Sequence, residues 1–153
     1  SGLRAASHTH ETTRQRIRRV IGIVIVAHGG LAREYLAAVE HVVGRQKGIL
    51  AISIEADHVR SDKQDEICAA ADAVDQGEGV VVVADMFGGS PSNLALRACA
   101  QDQRRILYGA NLPLLIKLAK SRHMAVGDAV RAAMEAGRKY IDSQNISADK
   151  ANL

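Results

Sequence analysis

Apolar positions in this chain follow two patterns that alternate along the sequence. Short runs are apolar at nearly every position and rich in β-branched residues, which predicts strands. The first and third runs have no polar face, so these strands are expected to be buried on both sides of a sheet. The predicted strands are residues 20–26, 49–54, 80–83 and 105–108.

Helical periodicity fills the segments between and after these strands, where apolar residues recur every three or four positions. Gly44 stands where a glycine commonly ends a helix. Ser61 and Gln64 have the spacing of an N-terminal capping box, and Pro91 and Pro113 suit the first turn of a helix. The predicted helices are residues 31–43, 61–74, 91–99, 113–120 and 126–137.

Strands that alternate with helices predict a parallel sheet that is covered on both faces. Because the crossovers between parallel strands are right-handed, the predicted fold class is α/β, with a doubly wound, mostly parallel sheet and helices on both sides. In this architecture ligands bind outside the carboxyl ends of the strands, where the strand order reverses. The residues that follow the strands are therefore the candidates for a functional site.

Length and composition predict a single domain. The chain has 153 residues, of which 47% are apolar, enough for one core. We assign this domain to residues 20–145 and expect residues 146–153 to be a disordered tail. No apolar block exceeds seven residues, so no membrane span is expected, and the first ten residues lack the apolar segment of a secretory signal.

The net charge of +3 comes from the first nineteen residues. These contain five arginines and one glutamate, a net of +4, which leaves −1 for the rest of the chain. The domain therefore has no basic surplus for nucleic acid. Residues 1–19 are predicted to be a disordered basic tail or sequence ahead of the natural start, with a nucleic-acid or lipid arm as the alternative.

The two cysteines, Cys68 and Cys99, fall in separate alanine-rich helical segments. They have neither CxxC spacing nor a secretory context, so buried thiols are favoured over a disulfide. This usage predicts a cytoplasmic protein.

Unusual residues follow three of the four predicted strands. Because the carboxyl ends of parallel strands meet at one edge of the sheet, we expect these residues to converge there. They are His28, Gly29 and Gly30 after the first strand, Asp85, Gly88, Gly89 and Ser90 after the third, and Gly109 and Asn111 after the fourth.

His28 is the candidate nucleophile of this edge. The glycines beside it leave one face of the imidazole open to a large partner. Asp85 can accept the Nδ1–H of His28, which leaves Nε2 with a free lone pair and stabilises positive charge on the ring. The alternatives are a structural histidine and an Asp85 that only caps a turn.

Two glycine turns are the predicted phosphate-binding groups. Gly29 and Gly30 lie at the start of the first helix, where free N–H groups and partial positive charge suit an anion. Gly88 and Gly89 can offer backbone N–H groups, and the hydroxyl of Ser90 can join them. Asn111 is assigned a supporting role.

The sequence lacks the motifs of other common kinds of site. The sequence AHGGLA after the first strand is not a GxGxxG dinucleotide fingerprint, and there is neither a Walker lysine nor a GxSxG elbow. His41 lies within a helix and His58 in a polar loop, so neither predicts a zinc site. We therefore expect no metal and no cofactor. A histidine with a carboxylate partner and an anion cradle matches phosphoryl relay.

Three segments occur in a characteristic order: IVIVAHGGLA around His28, VVVADMFGGSPSNLA around Asp85 and Ser90, and GANLPLL around Asn111. Together they resemble the mannose-type enzyme IIA domains of the bacterial phosphoenolpyruvate-dependent sugar phosphotransferase system. The resemblance covers about residues 20–141. It implies a doubly wound sheet, a homodimer, and a phosphoryl group carried on His28. It also matches Asp85 to the orienting aspartate of the family and Ser90 to the serine of its glycine turn.

The resemblance further implies that the phosphocarrier HPr is the donor and a IIB protein the usual acceptor. Ala27 and Phe87 stand where sugar-transporting members have a threonine and a tryptophan, which leaves the downstream partner open. One hypothesis is a relay to a IIB protein and a sugar. Another is a stand-alone regulatory module whose phosphorylation state controls a signalling partner. A third is a ligand-binding domain without transfer chemistry.

The segment after Gly137 bears on assembly. Residues 138–144 lose helical periodicity but keep the β-formers Tyr140 and Ile141, and an exposed sheet edge needs cover. The resemblance implies a dimer in which this segment is exchanged as an antiparallel edge strand. The alternative is that the last helix continues through Tyr140 and Ile141 within its own chain.

Overall fold

A computed structural model of the chain describes residues 19–57, 59–86, 88, 90–98 and 100–147. In this part of the chain no helix is both long and apolar enough to cross a membrane. The elements are β1 (Gly22–His28), α1 (Leu31–Val43), β2 (Ile49–Ile54), α2 (Arg60–Val74), β3 (Val80–Ala84), α3 (Ser90–Ala98), β4 (Arg104–Leu107), α4 (Leu112–Lys120) and α5 (Val126–Lys139).

The four strands form one parallel sheet in the order β2-β1-β3-β4. The chain first adds β2 on one side of β1 and then returns to add β3 and β4 on the other side. The strand order therefore reverses between β1 and β3, and the carboxyl ends of these two strands form the switch point. The predicted fold class is confirmed.

The core has two layers because successive side chains of a strand point to opposite faces of the sheet. Ile23 and Ile25 of β1 face α1, α4 and α5, whereas Val24 and Val26 face α2 and α3. All four side chains are at most 1% exposed, and each contributes roughly 1.5–3 kcal/mol by leaving water. Cys68 is partly buried against the second layer.

The clearest differences from the predictions concern the bounds of β1 and the start of α2. β1 runs from Gly22 to His28 rather than over residues 20–26, because its pairing with β2 continues until His28 lies opposite Ile54. The predicted capping box of Ser61 and Gln64 is wrong. Helix α2 begins at Arg60 after an extended Val59, and no side chain caps it.

The C-terminal end also differs from the prediction. Helix α5 continues past Gly137 to Lys139, so the first two residues of the predicted exchanged strand are helical. It ends before Tyr140 and Ile141, which are 67% and 76% exposed, so the alternative in which the helix continues through these two residues is wrong. The described strands include no antiparallel one.

Several predicted features lie outside the described residues. They are Gly89, Phe87, His58, Cys99, residues 1–18 of the first tail and residues 148–153 of the second.

Candidate active site

Strand β1 carries His28 to the carboxyl edge of the sheet as its last residue. The next residue, Gly29, has φ +55°, which favours glycine and turns the chain out of the sheet. Helix α1 follows at Leu31. The side chain of His28 is 50% exposed, so a partner can reach the ring.

Asp85 lies directly after β3 and faces His28 across the switch point. Its Oδ2 atom accepts the backbone N–H of His28 at 3.0 Å and lies 2.8 Å from Nδ1 of the ring. The Asp85 side chain is only 11% exposed. Its other oxygen, Oδ1, is buried and has no hydrogen-bond partner within the described part of the chain. The structure therefore brings together the two residues that the sequence predicted as a pair.

The contact determines which ring nitrogen of His28 is available. A carboxylate oxygen can only accept a hydrogen bond, so Nδ1 carries the proton in this contact. In the neutral ring Nε2 then has a free lone pair. The arrangement can therefore present Nε2 as a nucleophile while the carboxylate balances positive charge on the ring.

The first glycine turn offers fewer donors than expected. The N–H of Gly29 donates to the carbonyl of Ile54 at 3.0 Å, so it is occupied within the sheet. Gly30 is the N-cap of α1 and has no side chain to cap the helix. The free N–H groups at this edge are those that every helix leaves at its start, and they begin two residues after His28.

The second glycine turn lies beside the first at the same edge. Gly88 has φ +82°, and a Cβ added there would meet nothing within 4 Å. Ser90 is the first residue of α3 and is exposed. Gly88 and Ser90 are both exposed, so this side of the switch point is accessible.

Asn111, which was expected to support the site, contacts two helices instead. Its Oδ1 accepts the N–H of Leu114 at 3.0 Å and caps α4, and its Nδ2 donates to the carbonyl of Gly137 at 2.9 Å. Asn111 thus joins the start of α4 to α5. The described hydrogen bonds of the Asn111 side chain go to two helices and not to His28 or Asp85.

Tyr35 is a residue that the sequence placed only in the apolar face of α1. Its hydroxyl donates to the carbonyl of Ala110 at 3.1 Å. Burial raises the pKa of Tyr35, and the negative charge of Asp85 raises it further. The phenol is therefore close enough to the switch point to respond to the Asp85 carboxylate, which no periodicity could show.

The described residues contain no cluster of three or more His, Cys, Asp or Glu side chains that could hold a metal ion. A groove of about 390 Å³ lies between β4 and α5. Its lining includes Asn111, Leu114 and Ile141 but neither His28 nor Asp85. The His28 ring is half-exposed and lies outside this groove, so a macromolecular partner can reach it.

Sequence comparisons agree with this geometry. The family model EIIA-man, described as "PTS system fructose IIA component", matches residues 22–135. The chain is 28% identical over 124 residues to the PTS system mannose-specific EIIAB component of Escherichia coli (strain K12), covering 79% of this chain and 38% of that protein. It is 26% identical over 111 residues to the PTS system fructose-specific EIIA component of Bacillus subtilis (strain 168), covering 71% and 76%.

Solved structures show the same architecture. The mannose/sorbose specific IIA subunit from Enterococcus faecalis matches with a TM-score of 0.74 and 25% identity, over 83% of this chain and 96% of that one. The EIIA component from Streptococcus agalactiae matches with a TM-score of 0.73 and 25% identity, over 80% and 96%. The chain therefore belongs to the EIIA-man family of IIA components of the sugar phosphotransferase system.

Proposed function

We propose that this chain accepts a phosphoryl group on Nε2 of His28 from the phosphocarrier HPr and passes it to a IIB-type protein. The observation that carries the proposal is the 2.8 Å contact between Nδ1 of His28 and Asp85. It leaves Nε2 as the nucleophile on a half-exposed ring. Membership of the family supports phosphoryl transfer as the class of chemistry.

In the proposed step, the Nε2 lone pair attacks the phosphorus atom of the donor's phosphohistidine. A new N–P bond forms at His28, the N–P bond of the donor breaks, and the donor imidazole keeps that electron pair. The His28 ring then carries positive character with the proton still on Nδ1, and the Asp85 carboxylate stabilises it. The start of α1, two residues away, favours the charge of the phosphoryl oxygens.

The test is incubation with enzyme I, HPr and phosphoenolpyruvate, followed by intact-mass measurement. We expect one phosphoryl group per chain, labile in acid and stable in alkali, and none on His28→Ala. His41→Ala and His123→Ala are matched controls, since both replace an exposed histidine elsewhere in the domain. Labelling of His28→Ala at the wild-type rate would overturn the proposal.

The acceptor is tested by a chase. Phosphorylated protein, freed of enzyme I and HPr, is mixed with a IIB protein of a mannose-type system. Loss of the label to that protein supports the relay to a sugar. Retention of the label, with altered binding to a signalling partner, favours the regulatory alternative.

We also propose a homodimer that uses the β4 edge. β4 is the outer strand of the sheet, and the neighbouring groove is lined by Ile106, Leu107 and Met134 together with Ile141. An extended segment that follows α5 in a second copy can pair with this edge and fill the groove. Removal of the chain after Tyr140 should convert the dimer to a monomer in sedimentation. A truncated protein that stays dimeric would exclude this contact.

A further inference from the structure

Asp85 is held in place by few contacts of its own. In both of its described side-chain hydrogen bonds, Oδ2 accepts from His28, the residue that it orients. Oδ1 is buried without a hydrogen-bond partner in the described part of the chain, an unfavourable arrangement for a carboxylate oxygen. The side chain therefore does not fix its own orientation. The position of the carboxylate depends on where the backbone at the end of β3 is held.

That backbone is tied to the chain segment after β4. The carbonyl of Ala84, the residue before Asp85, accepts the N–H of Ala110 at 3.1 Å. The paired residues of β3 and β4 end with Val83 opposite Leu107. The bond between Ala110 and Ala84 thus lies beyond the ladder, at the point where the chain turns towards His28.

Tyr35 holds Ala110 from the other side. Its hydroxyl donates to the Ala110 carbonyl at 3.1 Å, and it belongs to α1, the helix that follows His28 and Gly30. Burial and then the charge of Asp85 raise the pKa of Tyr35, so the hydroxyl stays protonated and can donate at neutral pH. One side chain therefore links the helix after His28 to the loop that holds the Asp85 backbone.

We propose that Tyr35 is a positioning residue of the phosphoryl relay. Its hydroxyl fixes Ala110 and, through the carbonyl of Ala84, sets the Asp85 carboxylate against Nδ1 of His28. The role rests on the proposed function of the site. The hydrogen-bonded chain itself is present in the unphosphorylated protein, so it can be tested without any donor.

The first test measures the His28 ring directly. The ¹⁵N chemical shifts of Nδ1 and Nε2 in the neutral ring report which nitrogen carries the proton. Tyr35→Phe removes only the hydroxyl, and we expect the ring to move from the Nδ1–H form towards a mixture of both tautomers. The control Tyr140→Phe changes an exposed tyrosine at the end of α5 and should leave the shifts unchanged. Ring shifts in Tyr35→Phe that equal those of the wild type would overturn the proposal.

The second test asks whether Tyr35 acts through Asp85. At a temperature where the variant remains folded, we expect Tyr35→Phe to slow phosphoryl uptake from HPr roughly tenfold, the equivalent of one hydrogen bond. In an Asp85→Asn background the same change should have no further effect, because the carboxylate it positions is gone. Independent, multiplicative losses would contradict the inference. If the wild type takes up no phosphoryl group at all, the proposed function fails while the ring shifts still decide the role of Tyr35.

Discussion

The two edges of the same parallel sheet are built in opposite ways. At the amino edge, where the strands begin, backbone and side-chain groups pair with one another across the sheet. At the carboxyl edge, where His28 and Asp85 lie, the imidazole ring stays half-exposed and the described hydrogen bonds of the Asp85 carboxylate go only to His28. The comparison separates residues that hold the fold from residues that are free to do chemistry.

Glycines show the difference most clearly. A Cβ on Gly22 at the amino edge would lie 2.3 Å from the carbonyl oxygen of Val74, and one on Gly79 would lie 2.5 Å from that of Gln103. At the carboxyl edge, a Cβ on Gly29 or Gly88 would meet nothing within 4 Å. Glycine is needed at the amino edge because the backbones touch. At the carboxyl edge its small size leaves open surface around the histidine.

Charged residues follow the same division. Arg122 is buried at the amino edge and donates from Nε to the carbonyl of Ile21 at 2.8 Å and from Nη2 to that of Gly48 at 3.2 Å. Arg104, at the start of β4, pairs with Asp72 and Asp75. Burial acts to lower the pKa of Arg104, but these ion pairs outweigh it and raise the pKa. Cations at the amino edge are thus used to satisfy backbone and carboxylate oxygens.

The largest expected effect is on stability at the amino edge. Gly22→Ala forces a methyl group against the Val74 carbonyl and should lower the free energy of unfolding by about 3 kcal/mol or more. Gly30 at the carboxyl edge has a φ of −83°, which alanine can adopt. Gly30→Ala should therefore lower the free energy of unfolding by less than about 1 kcal/mol. Urea unfolding of both variants checks the contrast. Equal losses would show that the two edges do not differ in packing.

The next largest effect is on the rate of phosphoryl transfer, with the stability of the fold unchanged. Asp85→Asn places an amide beside Nδ1 and favours the wrong tautomer of His28, so phosphoryl uptake should slow about 100-fold. The urea midpoint should stay near that of the wild type, because Asp85 makes its described hydrogen bonds only to His28. A rapid-mixing measurement of uptake from HPr checks the rate. Uptake at the wild-type rate would remove the orienting role.

A third variant, at the amino edge, should lower stability and leave phosphoryl uptake unchanged. Arg122→Met keeps the bulk of the side chain but leaves the Ile21 carbonyl without its donor, and should cost about 2 kcal/mol of stability. Uptake at low temperature should be unaffected. Arg131→Met is the control, since Arg131 is 73% exposed and surface changes stay within about 0.5 kcal/mol. A slowed uptake in folded Arg122→Met would mean that the edges are coupled.

The smallest effect is on stability in alkali. The raised pKa of Tyr35 means that the native state holds this proton more tightly than the unfolded state does. The stabilisation is complete below the ordinary tyrosine pKa of about 10 and is lost as the pH rises through the raised value. The wild type and Tyr140→Phe should therefore lose stability more steeply above about pH 10 than Tyr35→Phe does. Identical pH profiles would argue against a partly buried phenol near Asp85.

Much of the fold could be predicted because it depends on local patterns. The apolar runs of β1 and β3 indicated central parallel strands, and the polar and glycine residues after them indicated the switch point. The strand end at His28 was missed, because a histidine before two glycines has the composition of a turn. Its place in the strand depends on pairing with Ile54, a contact that the local pattern does not contain.

Contacts between distant segments could not be predicted. Tyr35 fits the apolar face of a helix, and only the fold brings its hydroxyl to Ala110, seventy-five positions later in the chain. Asn111 was expected near the site, yet its amide reaches Gly137 of α5. The pairing of His28 with Asp85 was predicted because both stand where strands end, at the edge on which the carboxyl ends of parallel strands meet. The hydrogen-bond partners of side chains on helices and loops follow no comparable rule, so they could not be predicted from the sequence.

The most direct test of the central claim is to identify the phosphorylated atom. Protein labelled with ¹⁵N in its histidine rings is phosphorylated through HPr and studied by ¹⁵N and ³¹P NMR. We predict that the phosphorus is bonded to Nε2 of His28, with Nδ1 still protonated against Asp85. A phosphoryl group on Nδ1, or on any residue other than His28, would contradict the account.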